Sequence, residues 1–461
     1  MIAAARSATA CEILAAWVTG LRLRDIPPTV RNEACTHLLD GIGVALAGAN
    51  AGPAGPAIAV ACGLGGPAEA RPIGDSRFLS APAAAFATAA AIHALDFDDT
   101  HEGGPVHPTA VVAPVALAVG QAFASTGAEV LEAFVAGAEI ICRLGAASPH
   151  GFHARGLHAT SVCGPLAAAA VAAKLGGLDC AATANAIAIA ASSAGGLLEF
   201  LDAGTDTKVL HPAGAAMNGL LAARLAGAGA AGPSSAIEGR RGLYASLSDR
   251  PCDIDALTGD LGRRWETARI AVKAYPSCQL MHNALDAAVS AAHDVTAGSV
   301  ESVEVEIHPD SVPIVCGPGA GQRSPRSTHD AKFDLPWTLA ALLLDGEVTL
   351  ATYSPAALNR PDVAALAGKV KVIATSPDAP AAVRLHLDGG STRAGHAGPT
   401  ARRVPDGEVR AKFAANCEYH PLADELANAV TRLRYEDNLT RIMDLAAAVA
   451  AGTTDNACQT T

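Results

Sequence analysis

The stretch GPLAAAAVAAKL, residues 164–175, predicts a helix, because half of its twelve residues are alanine. Alanine has the highest helix propensity, and side chains this small let helix backbones approach each other closely. The whole chain of 461 residues has a similar character, with 50% hydrophobic but only 4% aromatic residues. Large sandwiches and barrels usually contain more β-branched and aromatic residues. The sequence therefore predicts a mainly helical globular protein.

A different pattern is found between about 269 and 412. Residues 302–308 read SVEVEIH, in which valine and isoleucine alternate with glutamate, as is typical of a half-buried strand. Two more strand-like segments and two helical runs are expected in this region: residues 369–375, 383–387, 279–293 and 336–345. From about 415 to 450 the sequence again has a helical pattern, and these helices could pack on the first helices of the chain. We therefore expect a smaller α+β domain within a helical protein.

Charge and apolar content exclude several classes of partner. The net charge of −12 and the absence of a Lys/Arg-rich run argue against a nucleic-acid partner, which requires a basic face. The alanine-rich segments are interrupted by polar residues and lack the Leu, Ile and Phe content of a membrane span. The eleven cysteines are scattered without a CxxC pair, as expected of reduced thiols. We expect a cytoplasmic protein with no nucleic-acid or membrane partner.

The segment HALDFDDTHEGGPVHP, residues 93–108, concentrates titratable side chains in an otherwise apolar chain. We expect a helix that continues through its first part and places His93, Asp96 and Thr100 on one face. His107 would follow on a loop after the GGP break, a suitable place for acid–base chemistry. Two alternatives stay open. The aspartates could cap local turns, or the segment could bind a metal, although its spacing matches no metal-binding motif.

The segment GFHARGLHATS, residues 151–161, precedes an alanine-rich helix. Thr160 or Ser161 is the expected N-cap, so His158 would lie beside a helix N-terminus. The helix dipole favours anions there and lowers the pKa of a histidine. The segment predicts either a neutral imidazole base that faces a carboxylate or a histidine that only packs at the helix start.

Two further segments place basic residues where they could bind anions. In residues 195–212, Lys208 lies in a glycine-rich loop between helices of small residues, where partial desolvation would favour binding of a carboxylate. A solvated surface lysine is the alternative. Residues 273–282 read KAYPSCQLMH and begin a helix, another potential anion site. Four polar side chains cluster at this start: Lys273, Tyr275, Cys278 and His282.

Taken together, these segments resemble the MmgE/PrpD family. The matching stretches are LDFDDTH with HP (95–108), GFHARGLHATSVCGPLAAA (151–169), GTDTKVLHPAGAA (204–216) and KAYPSCQLMHNALDAA (273–288), and residues 23–48 resemble the family's start. The resemblance implies a mainly α fold with two domains. These are a large all-helical domain built from both chain ends, residues 1–268 plus 413–461, and an inserted smaller α+β lid domain, residues 269–412. It also implies a homodimer without a metal or organic cofactor.

The resemblance also points to individual residues. The catalytic candidates are Asp96, His107, His158, Lys208 and Lys273. The resemblance also makes Thr100 a substrate-binding candidate. The other substrate-binding candidates, selected because they cluster with Lys273 at a helix start, are Tyr275, Cys278 and His282. Two positions differ from the decarboxylase-like members of the family: Cys278 stands where those members carry a histidine, and Trp337 stands where they carry a tyrosine.

The chemistry common to these proteins is proton transfer at a carbon α to a carboxylate. Lys208 and Lys273 would bind the carboxylates of a small polycarboxylate substrate. His107 and His158 would exchange protons on opposite faces, and Asp96 would orient one imidazole. The leading interpretation is a lyase of the 2-methylcitrate dehydratase type. The alternatives are an epimerase or isomerase of an amino- or imino-dicarboxylate, a cis-aconitate-type decarboxylase, a metal-dependent hydrolase and a catalytically silent dimer.

Overall fold

The computed structural model of the chain is mainly α. Helices account for 59% of the chain and strands for 8%, so the predicted fold class is confirmed. The described residues are 7–101, 103–317, 325–376, 378–398 and 402–458, and side chains are placed up to residue 452.

Alanine-rich helices make up the first part of the chain. They are α1 Ala10–Gly20, α2 Pro28–Ala49, α3 Gly55–Gly63, α4 Ala81–His93, α5 Pro108–Ala122, α6 Gly127–Ala146, α7 Gly151–Ala154, α8 Ala159–Leu175, α9 Cys180–Ala190, α10 Glu199–Ala203, α11 Leu210–Gly227, α12 Leu243–Leu247 and α13 Ile254–Thr258. Helix α8 contains the stretch that predicted the fold, and its residues are almost all buried. It packs against α5, α6, α9 and α11. Small side chains permit this, because a Cβ atom at Gly219 of α11 would collide with the carbonyl oxygen of Pro165 in α8.

The last helices of the chain return to this helical body. They are α19 Asp406–Asn416, α20 Ala423–Thr431 and α21 Thr440–Cys458. Helix α19 packs on α2, where Phe413 lies against Gly43. One hydrophobic core consequently contains residues from 10–272 together with residues from 404–449.

A smaller core is formed by residues between 278 and 385. Its helices are α14 His282–Ala291, α15 Val312–Val315, α16 Thr328–Ala331, α17 Leu335–Asp345 and α18 Pro361–Ala367. Its strands are β3 Val300–Ile307, β4 Val370–Ala374, β5 Ala382–Leu387 and β6 Thr392–His396. They form one sheet in the order β4-β3-β5-β6, in which only β3 and β4 are parallel. The predicted strands are therefore present, and β6, which lacks an apolar alternation, was not predicted. The division into 1–268 plus 413–461 and 269–412 remains our proposal.

No single helix among the described residues is long and apolar enough to cross a membrane. One bent pair, Pro28–Ala49 with Gly52–Gly63, meets the criteria of length and composition when its two helices are taken together.

Candidate active site

A cavity of about 420 Å³ lies between the helical body and the smaller core, and both contribute to its wall. The helical body contributes a polar group of side chains, which consists of Asp96, Thr100, His107, His158 and Lys208. The smaller core contributes a mainly apolar wall that includes Cys278 and Phe333. Residues that are far apart in sequence and were selected as site candidates thus meet in one cavity.

The carboxylate of Asp96 lies between two buried ammonium groups. Lys208 Nζ donates to Asp96 Oδ2 at 2.9 Å, and Lys273 Nζ donates to Asp96 Oδ1 at 2.5 Å. Burial disfavours the charged carboxylate, yet Lys208 and Lys273 hold the pKa of Asp96 well below its usual value. Burial similarly opposes the charge of Lys273, but Asp96 raises the pKa of this lysine above its ordinary value. One carboxylate between two ammonium groups leaves a net positive charge that can attract an anionic substrate.

The position of Asp96 depends on a helix that ends earlier than the sequence predicts. Helix α4 ends at His93, and Asp96 has a left-handed backbone with a φ of 54°, which aspartate tolerates better than most residues. Thr100 belongs to the short strand β1 Thr100–His101, so the expected helical face of His93, Asp96 and Thr100 is wrong. Strand β1 pairs with β2 Ile270–Ala271. This pairing brings Lys273 to Asp96, where its Nζ also donates to the backbone oxygen at 2.9 Å.

His107 is the residue directly before helix α5, and its neighbours fix its tautomer. Its Nδ1 lies 2.9 Å from the backbone oxygen of Asp99. Because a carbonyl oxygen can only accept, Nδ1 carries the proton of the neutral ring and Nε2 has the free lone pair. Burial lowers the pKa of His107 well below its usual value. The negative charge of Asp98 raises this pKa, whereas the positive charges of Lys208 and Lys273 lower it further. His107 is therefore a neutral imidazole with a basic Nε2, as a general base requires.

His158 occupies the equivalent place before helix α8. It is itself the N-cap, so the expectation of Thr160 or Ser161 at this position is wrong. Its Nδ1 lies 3.1 Å from Nδ1 of His211, and one ring must donate while the other accepts. When His211 donates, His158 carries its proton on Nε2 and has the form of a neutral general acid. Burial lowers the pKa of His158 well below its usual value, and nearby His211 and Lys208 add to the shift.

Asp98 is the carboxylate nearest to the imidazole of His107. Its Oδ2 lies 3.5 Å from Nδ1 of His107 and 2.8 Å from Nδ1 of His93. The His93 ring contacts the His107 ring edge-on, with a distance of 4.8 Å between the ring centroids. Asp96 instead accepts from two lysines. We therefore assign the orientation of an imidazole to Asp98, which is not among the site residues predicted from the sequence.

Two neighbouring residues have structural partners away from the cavity. The Asp99 carboxylate lies 3.0 Å from His37 Nδ1 and accepts from the backbone N–H and the hydroxyl of Thr109 at the start of α5. His101 Nε2 lies 3.0 Å from Glu266 Oε2. These side chains are buried, and they connect the loop after α4 to the surrounding helices. They provide matched controls for variants of Asp98 and His107.

The sequence of the chain matches two models of known protein domains. The chain matches the model of the MmgE/PrpD N-terminal domain over residues 12–253 and that of the MmgE/PrpD C-terminal domain over residues 275–435. The chain belongs to the MmgE/PrpD family. The predicted resemblance is thereby confirmed.

Similar curated proteins are enzymes of the MmgE/PrpD family. Cis-aconitate decarboxylase from Mus musculus is 31% identical over 377 residues, which cover 76% of this chain and 74% of the relative. Cis-aconitate decarboxylase from Aspergillus terreus is 29% identical over 376 residues, 77% of this chain and 76% of the relative. A cis-aconitate decarboxylase-like protein from Aspergillus oryzae is 29% identical over 388 residues, 78% of each chain. This level of identity supports the family's lyase-type activity.

Three of the predicted site residues do not line the cavity of this MmgE/PrpD protein. Lys273 is fully buried behind Asp96. The Tyr275 hydroxyl donates to Asp286 Oδ1 at 2.8 Å, and its ring contacts the ring of His282. Burial lowers the pKa of His282 to about 3. Lys273 thus contacts the cavity wall at Asp96, and the catalytic role of Lys273 and the roles of Tyr275 and His282 as substrate contacts remain predictions.

The structure adds residues that the sequence did not single out. His211, which lies three residues after Lys208, contacts His158. The Phe333 ring lines the cavity with its centroid 5.4 Å from Lys208 Nζ, whereas Trp337 is buried in the smaller core. Lys332 donates to the backbone oxygen of Leu95, and burial lowers its pKa to about 8. A signal was available only for His211, because it lies with Lys208 in GTDTKVLHPAGAA (204–216), one of the stretches that carry the family resemblance.

One group of described side chains has the chemistry of a metal site. His93, His107 and His158 each place one potential ligand atom within 4.8 Å of the others. The buried charges of Lys208 and Lys273, which lie beside these rings, would repel a cation. The three rings therefore fit proton transfer better than metal binding.

Replacement of Asp98 by Asn tests its proposed role. Burial lowers the pKa of His107 and Asp98 opposes this shift, so removal of the carboxylate should lower the pKa further. The acidic limb of the pH profile of kcat/KM should move to lower pH, since His107 must be neutral to act as a base. We expect kcat to fall by roughly one to two orders of magnitude, because the imidazolium formed during turnover loses its stabilising carboxylate.

Asp99→Asn is the matched control for this experiment. It removes a carboxylate next to the same loop but facing His37, so it should lower the melting temperature and leave the acidic limb in place. An acidic limb that stays unchanged in Asp98→Asn would contradict the assignment.

Proposed function

We propose that the protein is a cofactor-independent lyase that removes a proton α to a carboxylate of a small di- or tricarboxylate and eliminates water from the adjacent carbon. The observation that carries this proposal is the positively charged group of Lys208, Asp96 and Lys273 beside the basic Nε2 of His107. A carbon acid next to a carboxylate is weak, so the dianion formed by its deprotonation needs such a preorganised positive environment.

The elimination uses the two neutral imidazoles as different tautomers. His107 Nε2 takes the α-proton, and the electron pair of the C–H bond moves into the carboxylate held by Lys208. As this pair forms the carbon–carbon double bond, the C–O bond breaks, and the hydroxyl leaves as water with the proton from His158 Nε2. The ring centroids of His107 and His158 are 5.8 Å apart, so a proton can return from one to the other, directly or through one water, after turnover.

Decarboxylation of an unsaturated tricarboxylate is the second candidate function. It is favoured by the names of the curated relatives, which are cis-aconitate decarboxylases. In this reaction the C–C bond to one carboxylate breaks, carbon dioxide leaves, and the electron pair that stays on the substrate takes up a proton from an imidazole. The same positive group would stabilise the same type of dianion.

Product analysis separates these reactions. We expect a panel of hydroxylated and unsaturated polycarboxylates, incubated with the protein in heavy water and followed by NMR, to contain one substrate that loses water. Loss of carbon dioxide from an unsaturated member would instead establish the second candidate. Label uptake with inverted configuration and no other change would identify an epimerase. If no member of the panel is converted or labelled, the proposed function is wrong.

A further inference from the structure

A lysine from the last part of the chain contacts the backbone behind the candidate site. Lys412 belongs to helix α19, and its Nζ donates to the backbone oxygen of Phe97 at 2.8 Å and to that of Lys273 at 3.1 Å. Phe97 directly follows Asp96 in the chain. Lys412 therefore holds two of the segments that form the Lys–Asp–Lys group, by which we mean Lys208, Asp96 and Lys273.

The ammonium group of Lys412 has a partner for each of its donors. A third oxygen, Oδ1 of Asp40 in helix α2, lies 2.7 Å from Nζ, and the centroid of the Phe97 ring lies 3.7 Å from it. An ammonium has three donors, which match the three oxygens, and a cation is further stabilised by the face of an aromatic ring. The Lys412 side chain is only 8% exposed. All three donors are thus directed at the protein itself.

These contacts form a closed ring around the backbone of Asp96. Lys273 Nζ donates to the backbone oxygen of Asp96 at 2.9 Å, while Lys412 Nζ donates to the backbone oxygens of Phe97 and Lys273. The backbone of Asp96 is left-handed, with a φ of 54°, and such a conformation persists only where surrounding contacts hold it. Lys412 therefore connects the loop that carries Asp96 to the segment that carries Lys273.

We propose that Lys412 is a positioning residue of the Lys–Asp–Lys group. It fixes the loop against the segment that follows β2, and so determines where Asp96 meets Lys208 at the cavity wall. This inference rests on the proposed function, because the position of the group affects turnover only if the group stabilises the substrate dianion. It also makes helix α19, from the last part of the chain, a component of the site.

Kinetics of Lys412→Met test this inference with the substrate that the polycarboxylate panel identifies. We expect kcat to fall by about one to two orders of magnitude, because stabilisation of the developing charge depends on accurate placement of the group. KM should stay within a few-fold of the wild type, since Lys208 is retained and still binds a substrate carboxylate. Melting curves establish that each variant is folded at the assay temperature.

Asp40→Asn separates the positioning role from the stability of the ion pair. It removes the carboxylate next to Lys412 but leaves both contacts of Nζ with the backbone oxygens. It should therefore lower the melting temperature and keep kcat within a few-fold of the wild type. If Lys412→Met fails to fold, Lys412→Gln takes its place. Its shorter side chain still has N–H donors, so we expect a smaller fall in kcat, of about tenfold.

Lys174→Met is the matched control for loss of a buried lysine. The Lys174 side chain in α8 is also 8% exposed, donates to the backbone oxygens of Val18 and Leu21, and lies 3.7 Å from Glu132 Oε2. Lys174 is not among the described residues that line the cavity. Its replacement should lower the melting temperature and leave kcat within a few-fold of the wild type.

Two results would overturn the inference and leave the proposed function intact. One is a kcat of the Lys412 variant close to that of the wild type, and the other is an equal loss of kcat in Asp40→Asn or Lys174→Met. If the wild-type protein converts no member of the panel, the proposed function fails, and the inference that rests on it fails too.

Discussion

Replacement of His107 by Gln is expected to lower kcat by roughly two to four orders of magnitude, the usual contribution of a general base. The backbone oxygen of Asp99 fixes the proton of His107 on Nδ1, so the unprotonated Nε2 is the group that accepts the substrate's proton. Glutamine fills a similar volume but has no basic nitrogen. KM should change little, because Lys208 and the other carboxylate-binding groups are retained. Steady-state kinetics measure both quantities.

His101→Gln is the control for this variant. His101 is fully buried and pairs with Glu266, so its replacement should lower the melting temperature and leave kcat within a few-fold of the wild type. A comparable loss of kcat in His101→Gln, or normal kcat in His107→Gln, would show that a different histidine acts as the base.

Lys208→Met and Lys273→Met are expected to have different effects although both lysines donate to Asp96. Lys208 lines the cavity, so its loss removes a charge-assisted hydrogen bond to the substrate and should raise KM by about one to two orders of magnitude, with lower kcat. Lys273 lies behind Asp96 and is completely buried. Removing one partner of a buried ion pair should lower the free energy of unfolding by about 3–5 kcal/mol.

Chemical denaturation and substrate kinetics distinguish these outcomes. Lys371→Met serves as the control, because Lys371 is an exposed lysine of β4 that lies 3.7 Å from Glu304 in a surface ion pair. It should change neither property measurably, as expected of an exposed pair. Equal losses of stability in Lys208→Met and Lys273→Met, without an effect of Lys208→Met on KM, would contradict the division of roles.

Much of the fold could be predicted because the composition of the sequence and the periodicity of its apolar residues depend directly on how helices and strands pack. The alanine-rich stretch in α8 predicted closely packed helices, and the alternation in β3 predicted a half-buried strand. Strand β6 escaped prediction because its side chains are mostly exposed and its sequence TRAGH does not alternate. The end of α4 escaped prediction as well, since residues 94–101 contain no glycine or proline that would stop a helix.

The sequence predicted which residues belong to the candidate site better than it predicted how those residues are arranged. Unusual polar side chains in an apolar chain pointed to Asp96, His107 and Lys208, which do line one cavity. Their partners depend on contacts between distant segments. The pairing of Asp98 with His93 and His107, and of His158 with His211, follows from loop paths that no sequence period encodes. For the same reason the resemblance assigned the orientation of an imidazole to Asp96. The carboxylate of Asp96 instead accepts hydrogen bonds from Lys208 and Lys273.

If His107 exchanges a proton with the carbon α to a substrate carboxylate, deuterium from heavy water enters that carbon, and its rate of entry can be measured by NMR in recovered substrate and in product. We expect incorporation at this single carbon by the wild-type protein and a loss of roughly two to four orders of magnitude in His107→Gln. Incorporation at the wild-type rate in His107→Gln would contradict the role of His107 as the base.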